Sequence, residues 1–343
     1  MTAPTPDDGQ QPSWWIYRGD DTPHDDIATR LPPPPPWRDF THRDDRHLGR
    51  HRHLATSYRP RAEDIDLVNA ALYLRRPLLV TGIPGIGKST LAHSIANELR
   101  LGPVLRWSIT SRSSLPEGLY QYDAIGRLHE VSLRRGGITD ASTADPEDIG
   151  RFVRLGPLGT ALAAADRPRV LLIDEIDKSD VDLPNDLLHV FEEGEFLIPE
   201  LQRLYRKEPV GVLPADGDER ILVELGRVRC AHFPVVIMTS NDEREFPPAF
   251  LRRCIQLCVQ PPDTNEQARS IVRAHLGQLG DAFDDEVAAR ITEFVAGWRA
   301  NERRATDQLL NALYLISAGA GVPDEQRRAA VDQVKQPPSS PRR

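Results

Sequence analysis

The stretch Leu78-Leu-Val-Thr-Gly82-Ile-Pro-Gly-Ile-Gly87-Lys88-Ser89-Thr90-Leu91 decides the fold. Leu78 to Val80 is a short apolar strand, and Leu91, Ile95 and Leu99 recur at helical spacing until Gly102-Pro103 stops them. Between the two lies the spacing G-x-x-x-x-G-K-[ST], in the strand–loop–helix context that this phosphate-binding pattern requires. Glycines let the backbone turn its N–H groups inward as an anion nest, and the N-terminus of the following helix adds partial positive charge. Gly82, Ile83, Pro84, Gly85, Ile86 and Gly87 therefore read as a cradle for nucleotide phosphates, with Thr90 following as a further contact. Lys88 supplies a full charge against the β- and γ-phosphates, and the Ser89 hydroxyl is a hard oxygen ligand for Mg²⁺. The implied ligand pair is ATP with Mg²⁺.

A second element argues against a chance glycine turn. Arg169-Val-Leu-Leu-Ile-Asp174-Glu175 is an apolar strand ending in two carboxylates. Asp174, at the carboxyl end of that strand, can hold the hydration shell of Mg²⁺, and Glu175 can orient and activate an attacking water. Phosphoryl transfer to a small molecule has no need of the second carboxylate, so the pair favours hydrolysis. Farther along, the strand Val235 to Met238 runs into Thr239-Ser240-Asn241, where the polar side chain of Asn241 can position the same water. Arg252 and Arg253 then stand at a helix end, just before an apolar strand from Ile255 to Val259.

With one more strand over Val104 to Ile109, the pattern is strands separated by helical or irregular segments. It predicts an α/β P-loop fold with a five-stranded, mostly parallel sheet between helices. Upstream, Ile65, Val68 and Leu72 mark a helix that Pro77 ends. Beyond Pro261-Pro262 only helical spacing remains: Ile271 with Ala274 and Leu276, Ile291 with Phe294 and Val295, and Leu309 with Leu310, Leu313 and Ile316. The expected organisation is an arm over 1–60, an ATP-binding core over 61–262, a small all-α lid over 263–333 and a disordered tail over 334–343. The arm holds ten of the thirty prolines, including Pro32 to Pro36, a composition that favours extended polyproline II. It also holds Trp14-Trp15-Ile16-Tyr17. Two readings stay open for it: a disordered tail, or an arm whose aromatic cluster docks on its own core, a neighbouring subunit or a partner. The stretch from His42 to His53, with four histidines and several arginines, reads as a solvated charged run rather than a metal site.

A chain of 343 residues allows one medium core and a smaller satellite domain. Lys and Arg number 43 against 51 acidic residues, a net charge of −8, so the electrostatic footprint of a nucleic-acid backbone binder is absent. No run of apolar residues is long enough to span a membrane. The N-terminus, Met-Thr-Ala-Pro-Thr-Pro-Asp-Asp, lacks the apolar core of a secretory signal, so the expected location is the cytoplasm. Cys230, Cys254 and Cys258 are an odd set for a disulfide framework. Cys254 and Cys258 lack CxxC spacing or a nearby histidine pair and read as buried small apolar residues rather than zinc ligands.

Taken together, these elements resemble the AAA+ ATPases, and within them the MoxR-like group. Carrying the subgroup likeness are Gly156-Pro157-Leu158, then Asp174-Glu175-Ile176-Asp177-Lys178, then Leu187-Leu188 to Glu192-Glu193-Gly194. The likeness covers roughly Asp64 to Val331. It implies a ring, often a hexamer, with ATP between subunits: Lys88, Ser89, Asp174, Glu175 and Asn241 from one, and Arg252 and Arg253 as arginine fingers from the next. It also implies chaperone-like work on a partner with a von Willebrand A domain. A lid arginine on the γ-phosphate is usual in the group. Here Asn301 to Asp307 offers Arg304 or Arg303, or no such contact. A hairpin is expected within Arg220 to His232. Gly118-Leu-Tyr-Gln-Tyr-Asp123 is more aromatic than the group's pattern and either packs as a loop or faces a client or pore. Two other functions compete with the remodeller. One is a slow-turnover ATP-gated switch in a signalling or defence module; the other is a DNA-handling clamp-loader or helicase component, which the acidic balance disfavours.

Overall fold

A computed structural model describes residues 58, 60–135, 148–204, 208–262, 264–276, 289, 291–296, 309–311 and 313–314. The chain divides into two compact units, Pro60–Gln260, and Met1–Arg59 with Pro261–Arg343. In the first unit, β1 (Leu78–Thr81), β2 (Leu105–Ser108), β3 (Val170–Asp174), β4 (Val235–Thr239) and β5 (Ile255–Cys258) form one sheet. Their order is β5-β1-β4-β3-β2, and every neighbouring pair is parallel. All five residues of β3 are buried, so both faces of the sheet are covered along this interior strand. That is why Val170-Leu-Leu-Ile reads as an unbroken apolar run rather than an alternating one.

Helices cover the sheet. Helix α1 (Ala62–Leu74) packs on β5, and α2 (Lys88–Glu98) packs on β3 and β4. Burial differs from the sequence expectation at two positions. Ile65 is 47% exposed, α1 burying Asp64 and Ala71 instead, and Leu99 is the C-cap of α2 and 45% exposed. Helix α3 (Pro157–Leu162) packs on β2 and β3 and opens with Gly156 as N-cap and proline at N1, where its missing N–H costs nothing. A Cβ at Gly159 would overlap the carbonyl oxygen of Leu119, so the chain passes here only without a side chain. Helix α4 (Leu183–Glu193) ends at Gly194 in the left-handed conformation. Helix α5 (Pro248–Leu251) sits just before β5, and its Phe250 is completely buried.

Three antiparallel pairs decorate the unit: Tyr120–Tyr122 with Val153–Leu155, Glu195–Leu197 with Arg227–Arg229, and Val210–Val212 with Ile221–Val223. The hairpin expected within Arg220–His232 is therefore corrected. Glu224 to Arg227 forms a tight turn, with Leu225 and Gly226 at positive φ, but the strands on either side pair outward. Val223 and Val228 are buried in the core alongside different strand partners, which pulls the two arms apart. In the Gly118–Asp123 segment Gly118 and Leu119 are buried, Tyr120 and Tyr122 are half-buried, and Gln121 and Asp123 are exposed. Tyr120 stacks on Phe196 with centroids 6.5 Å apart and donates its hydroxyl to Glu200 at 2.9 Å. Among the cysteines, Cys254 is buried, Cys230 is half-buried and Cys258 is exposed, so the buried reading fails for Cys258. Its sulfur accepts a hydrogen bond from Gln260 at the sheet's edge strand.

In the second unit, α6 (Asn265–Leu276) buries Ala268 and Val272, which cluster with Ile291, Phe294, Val295, Leu309, Leu310 and Leu313. The Trp14-Trp15 cluster, the proline and histidine runs, Arg303, Arg304 and the tail lie outside the described residues. No described helix is long and apolar enough to cross a membrane. Because Phe250 fills the core beneath α5, Phe250→Ala should cost about 3–5 kcal/mol and Phe250→Leu much less. Urea unfolding of the two variants measures this directly.

Candidate functional site

The loop between β1 and α2 has its backbone set by glycine. Gly82, Gly85 and Gly87 have φ of 143°, 74° and 96°. A Cβ at Gly82 would lie 2.7 Å from the carbonyl oxygen of Val259, the residue after β5, so the chain there leaves no room for a side chain. Pro84 and Gly85 are exposed at the tip, Ile83 and Ile86 are half-buried, and the Thr90 amide donates to Gly87 at 3.0 Å. Among the described residues no protein acceptor is paired with the amides of Gly85, Ile86 and Gly87. Lys88 is buried. Its ammonium donates to the carbonyls of Gly82 and Ile83 at 2.7 and 3.0 Å and to Oδ1 of Asn241 at 2.7 Å. Burial pulls its pKa down, and Asp177, Asp242, Asp174 and Glu175 only partly restore it.

Asp174 ends β3 opposite Ser108 of β2. Its Oδ1 accepts hydrogen bonds from Ser89 and Thr239, both at 2.7 Å, and its Oδ2 accepts one from Arg106 at 2.5 Å. Burial pushes this carboxyl up, but the hydroxyls of Ser89 and Thr239 and the Arg106 guanidinium outweigh it and hold the group below the usual carboxylate range. Glu175 follows in the left-handed conformation, φ 63°, with its amide donating to Thr239 Oγ1 at 2.9 Å. Its carboxylate pairs with Lys178 at 2.7 Å. Asp242, next to Asn241, is also left-handed at φ 57°. Such backbone costs on the order of 1–3 kcal/mol per residue and persists where surrounding structure over-determines it.

The paired arginines lie elsewhere. Arg253 forms an ion pair with Glu192 and donates to the Ala249 carbonyl at 3.3 Å; Arg252 donates to the Pro248 carbonyl at 3.2 Å. Both are exposed, and among the described residues neither pairs with the phosphate loop, Asp174 or Glu175. Of the expected site, Lys88 is hydrogen-bonded to Asn241 and Ser89 to Asp174, Glu175 is linked to Asp174 through Thr239, and Arg252 and Arg253 stand apart.

Four residues not singled out as site groups complete the arrangement. Thr239 bridges Asp174 and Glu175, and Lys178 holds Glu175. Buried Asp177 accepts the amides of Asn241 and Glu243 on Oδ2, at 2.9 and 3.2 Å, which ties the Asn241 loop to the end of β3. Its Oδ1 is buried without a hydrogen-bond partner among the described residues. Thr239, Asp177 and Lys178 sit inside runs whose pattern is visible. Arg106 carries no local signal, because only strand order brings β2 beside β3.

The donor set suits a phosphate chain with a divalent cation. Loop amides without a protein acceptor among the described residues, a buried ammonium and a helix N-terminus favour anions, and a hydroxyl beside an ionised carboxylate favours a hard metal. Residues 77–254, more than half of the chain, match the profile of the AAA domain (dynein-related subfamily). The chain belongs to this AAA family. No curated protein matches it. The family is one of nucleotide-binding ATPases, and in this AAA domain the loop and Lys88 would hold phosphates while Ser89 and Asp174 would hold Mg²⁺ and its waters.

Asp177→Asn keeps an acceptor for the two amides and should fold and bind nucleotide nearly as the wild type does. Asp177→Ala should lose about 1–3 kcal/mol in urea unfolding by stranding both amides. Asp174 supplies a pH test. Its folded pKa is depressed, so its contribution is complete above the unfolded value and is lost as pH falls through the folded one. The wild-type urea midpoint should fall relative to Asp174→Asn only below roughly pH 4.

Proposed function

We propose that this protein is an ATP-hydrolysing AAA+ machine of the MoxR-like kind, a cytoplasmic ring of identical subunits, hexameric by family pattern, that remodels a partner protein. The observation behind this is that Glu175 directly follows Asp174 at the end of β3 while the Asn241 side chain is seated on Lys88. Lys88 and the loop amides bind and orient the phosphates, while Ser89 and Asp174 hold the metal side. When bound, Mg²⁺ neutralises charge on the phosphate oxygens. Asn241 orients the hydrolytic water, and a carboxylate oxygen of Glu175 takes its proton.

Exposed Arg252 and Arg253 support the ring, because they serve a neighbour's site better than their own. Gly156-Pro157-Leu158 and Asp174 to Lys178 support the MoxR-like subgroup and, through it, a partner with a von Willebrand A domain. The helical spacing beyond Pro262 supports a lid like that of the group, for which Arg304 is the candidate γ-phosphate residue in the sequence. The net charge of −8 disfavours a nucleic-acid partner.

The Glu175–Lys178 pair favours a second reading, the slow-turnover switch, because a base held by an ammonium is withheld from water. Turnover near zero both alone and with partner, alongside tight ATP binding, would select the switch. For the machine, Glu175→Gln should keep ATP binding and assembly while turnover falls by about 10²-fold or more. Phosphate release by that variant at the wild-type rate rejects the mechanism. Arg252→Ala with Arg253→Ala should lose turnover yet regain part of it when mixed with Lys88→Ala subunits, whose arginines are intact. Failure of such mixtures to regain activity rejects the shared site. The partner is sought by pull-down with the Glu175→Gln variant held in ATP.

A further inference from the structure

Asp174 accepts three protein donors, and they are not equivalent. Thr239 is buried in β4 and also takes the Glu175 amide, so it is fixed in place. Ser89 leads α2, and its hydroxyl can keep donating to Asp174 while a lone pair faces a metal. Arg106 differs from both. Along β2, Leu105 and Trp107 are buried and Arg106 and Ser108 are exposed, and the register of Ser108 with Asp174 puts Arg106 on the face that Asp174 uses. Its side chain is 51% exposed against 8% for Asp174, so it can swing out without opening the core. It also holds Oδ2, the one oxygen that neither hydroxyl occupies. A water of the metal's hydration shell would need that oxygen, and a guanidinium repels the cation.

We infer that Arg106 is a counter-ion latch on the metal side of the site, neutralising Asp174 until Mg²⁺ arrives with the nucleotide and displaces it. The inference rests on the reading of Asp174 as the carboxylate that carries the metal's hydration shell. Two opposite consequences distinguish it from a merely structural ion pair. With the latch removed, Asp174 faces the phosphates unneutralised, so metal-free nucleotide binds more weakly. With the competitor gone, Mg²⁺ binds the nucleotide complex more tightly.

The test is binding of a fluorescent ATP analogue to full-length wild type, Arg106→Gln and Arg106→Lys, first in EDTA and then along a Mg²⁺ titration. Arg106→Gln should show weaker binding in EDTA and a Mg²⁺ midpoint lowered about three- to tenfold. Arg106→Lys, which keeps the charge, should stay near wild type. An unchanged or raised midpoint in Arg106→Gln overturns the latch. A wild type that binds no analogue even with Mg²⁺ instead overturns the phosphate-loop reading beneath it. A measurement on the wild type alone covers a glutamine variant that fails to fold. The Arg106 Nε–H resonance should shift or exchange away on adding Mg²⁺ with nucleotide, and a resonance that stays put rejects displacement.

Discussion

A buried carboxylate at the carboxyl end of the interior strand β3 sets the terms for the rest of this site. Asp174 is almost fully removed from water, and an unpaired charge there would cost several kcal/mol. It is ionised because Ser89 from α2, Thr239 from β4 and Arg106 from β2 converge on it. Each donor comes from a different element, so the anion is satisfied only when β2, β3 and β4 are in register and the phosphate loop has turned back onto β3. The parallel sheet and the glycine conformations are thus preconditions of one hydrogen-bonded group.

The same economy extends to its neighbours. Lys88 is satisfied by two loop carbonyls and Asn241, Glu175 by Lys178, and Asp177 takes two amides of the Asn241 loop. Lys88, Asp174 and Glu175 are therefore each held by partners within the chain. In the proposed reading, a nucleotide and a cation would compete with the internal partners of Lys88 and Asp174, which would moderate affinity and make the site responsive to both ligands together. Glu175 and Asp242, both in the left-handed conformation, lie just beyond the ends of β3 and β4.

Arg252 and Arg253 belong to a different part of the story. They follow α5, which buried Phe250 anchors to the core, and they point to solvent rather than to their own phosphate loop. Arg253 is steadied by Glu192 at the end of α4. A rigid mount with exposed cations is what a contact supplied to a neighbouring subunit needs, since flexible mounting would lose the gain of pre-organisation.

Much was legible in the chain itself, for physical reasons. β3 is buried on both faces, so it had to be an unbroken apolar run. The phosphate loop needs φ values open to glycine, so its glycines had to stand at 82, 85 and 87. The polar ends of β3 and β4 had to follow those runs directly, and Asp174, Glu175 and Asn241 were visible there. Side-chain burial on α1 was less legible, because helical spacing at Ile65 does not say which neighbour will cover that face.

What depends on strand order and pairing between distant segments was decided only in three dimensions. Val223 and Val228 lie on either side of one tight turn, yet they join different strand partners, a choice made by core packing rather than by the turn. Arg106 has no motif around it; β2 lies beside β3 only because the intervening segment crosses back over the sheet. The local sequence determined a nucleotide-phosphate loop on a parallel sheet, because backbone geometry and burial act residue by residue. Tertiary structure alone decided which charge neutralises which, because electrostatic partners are chosen by distance in space and not along the chain.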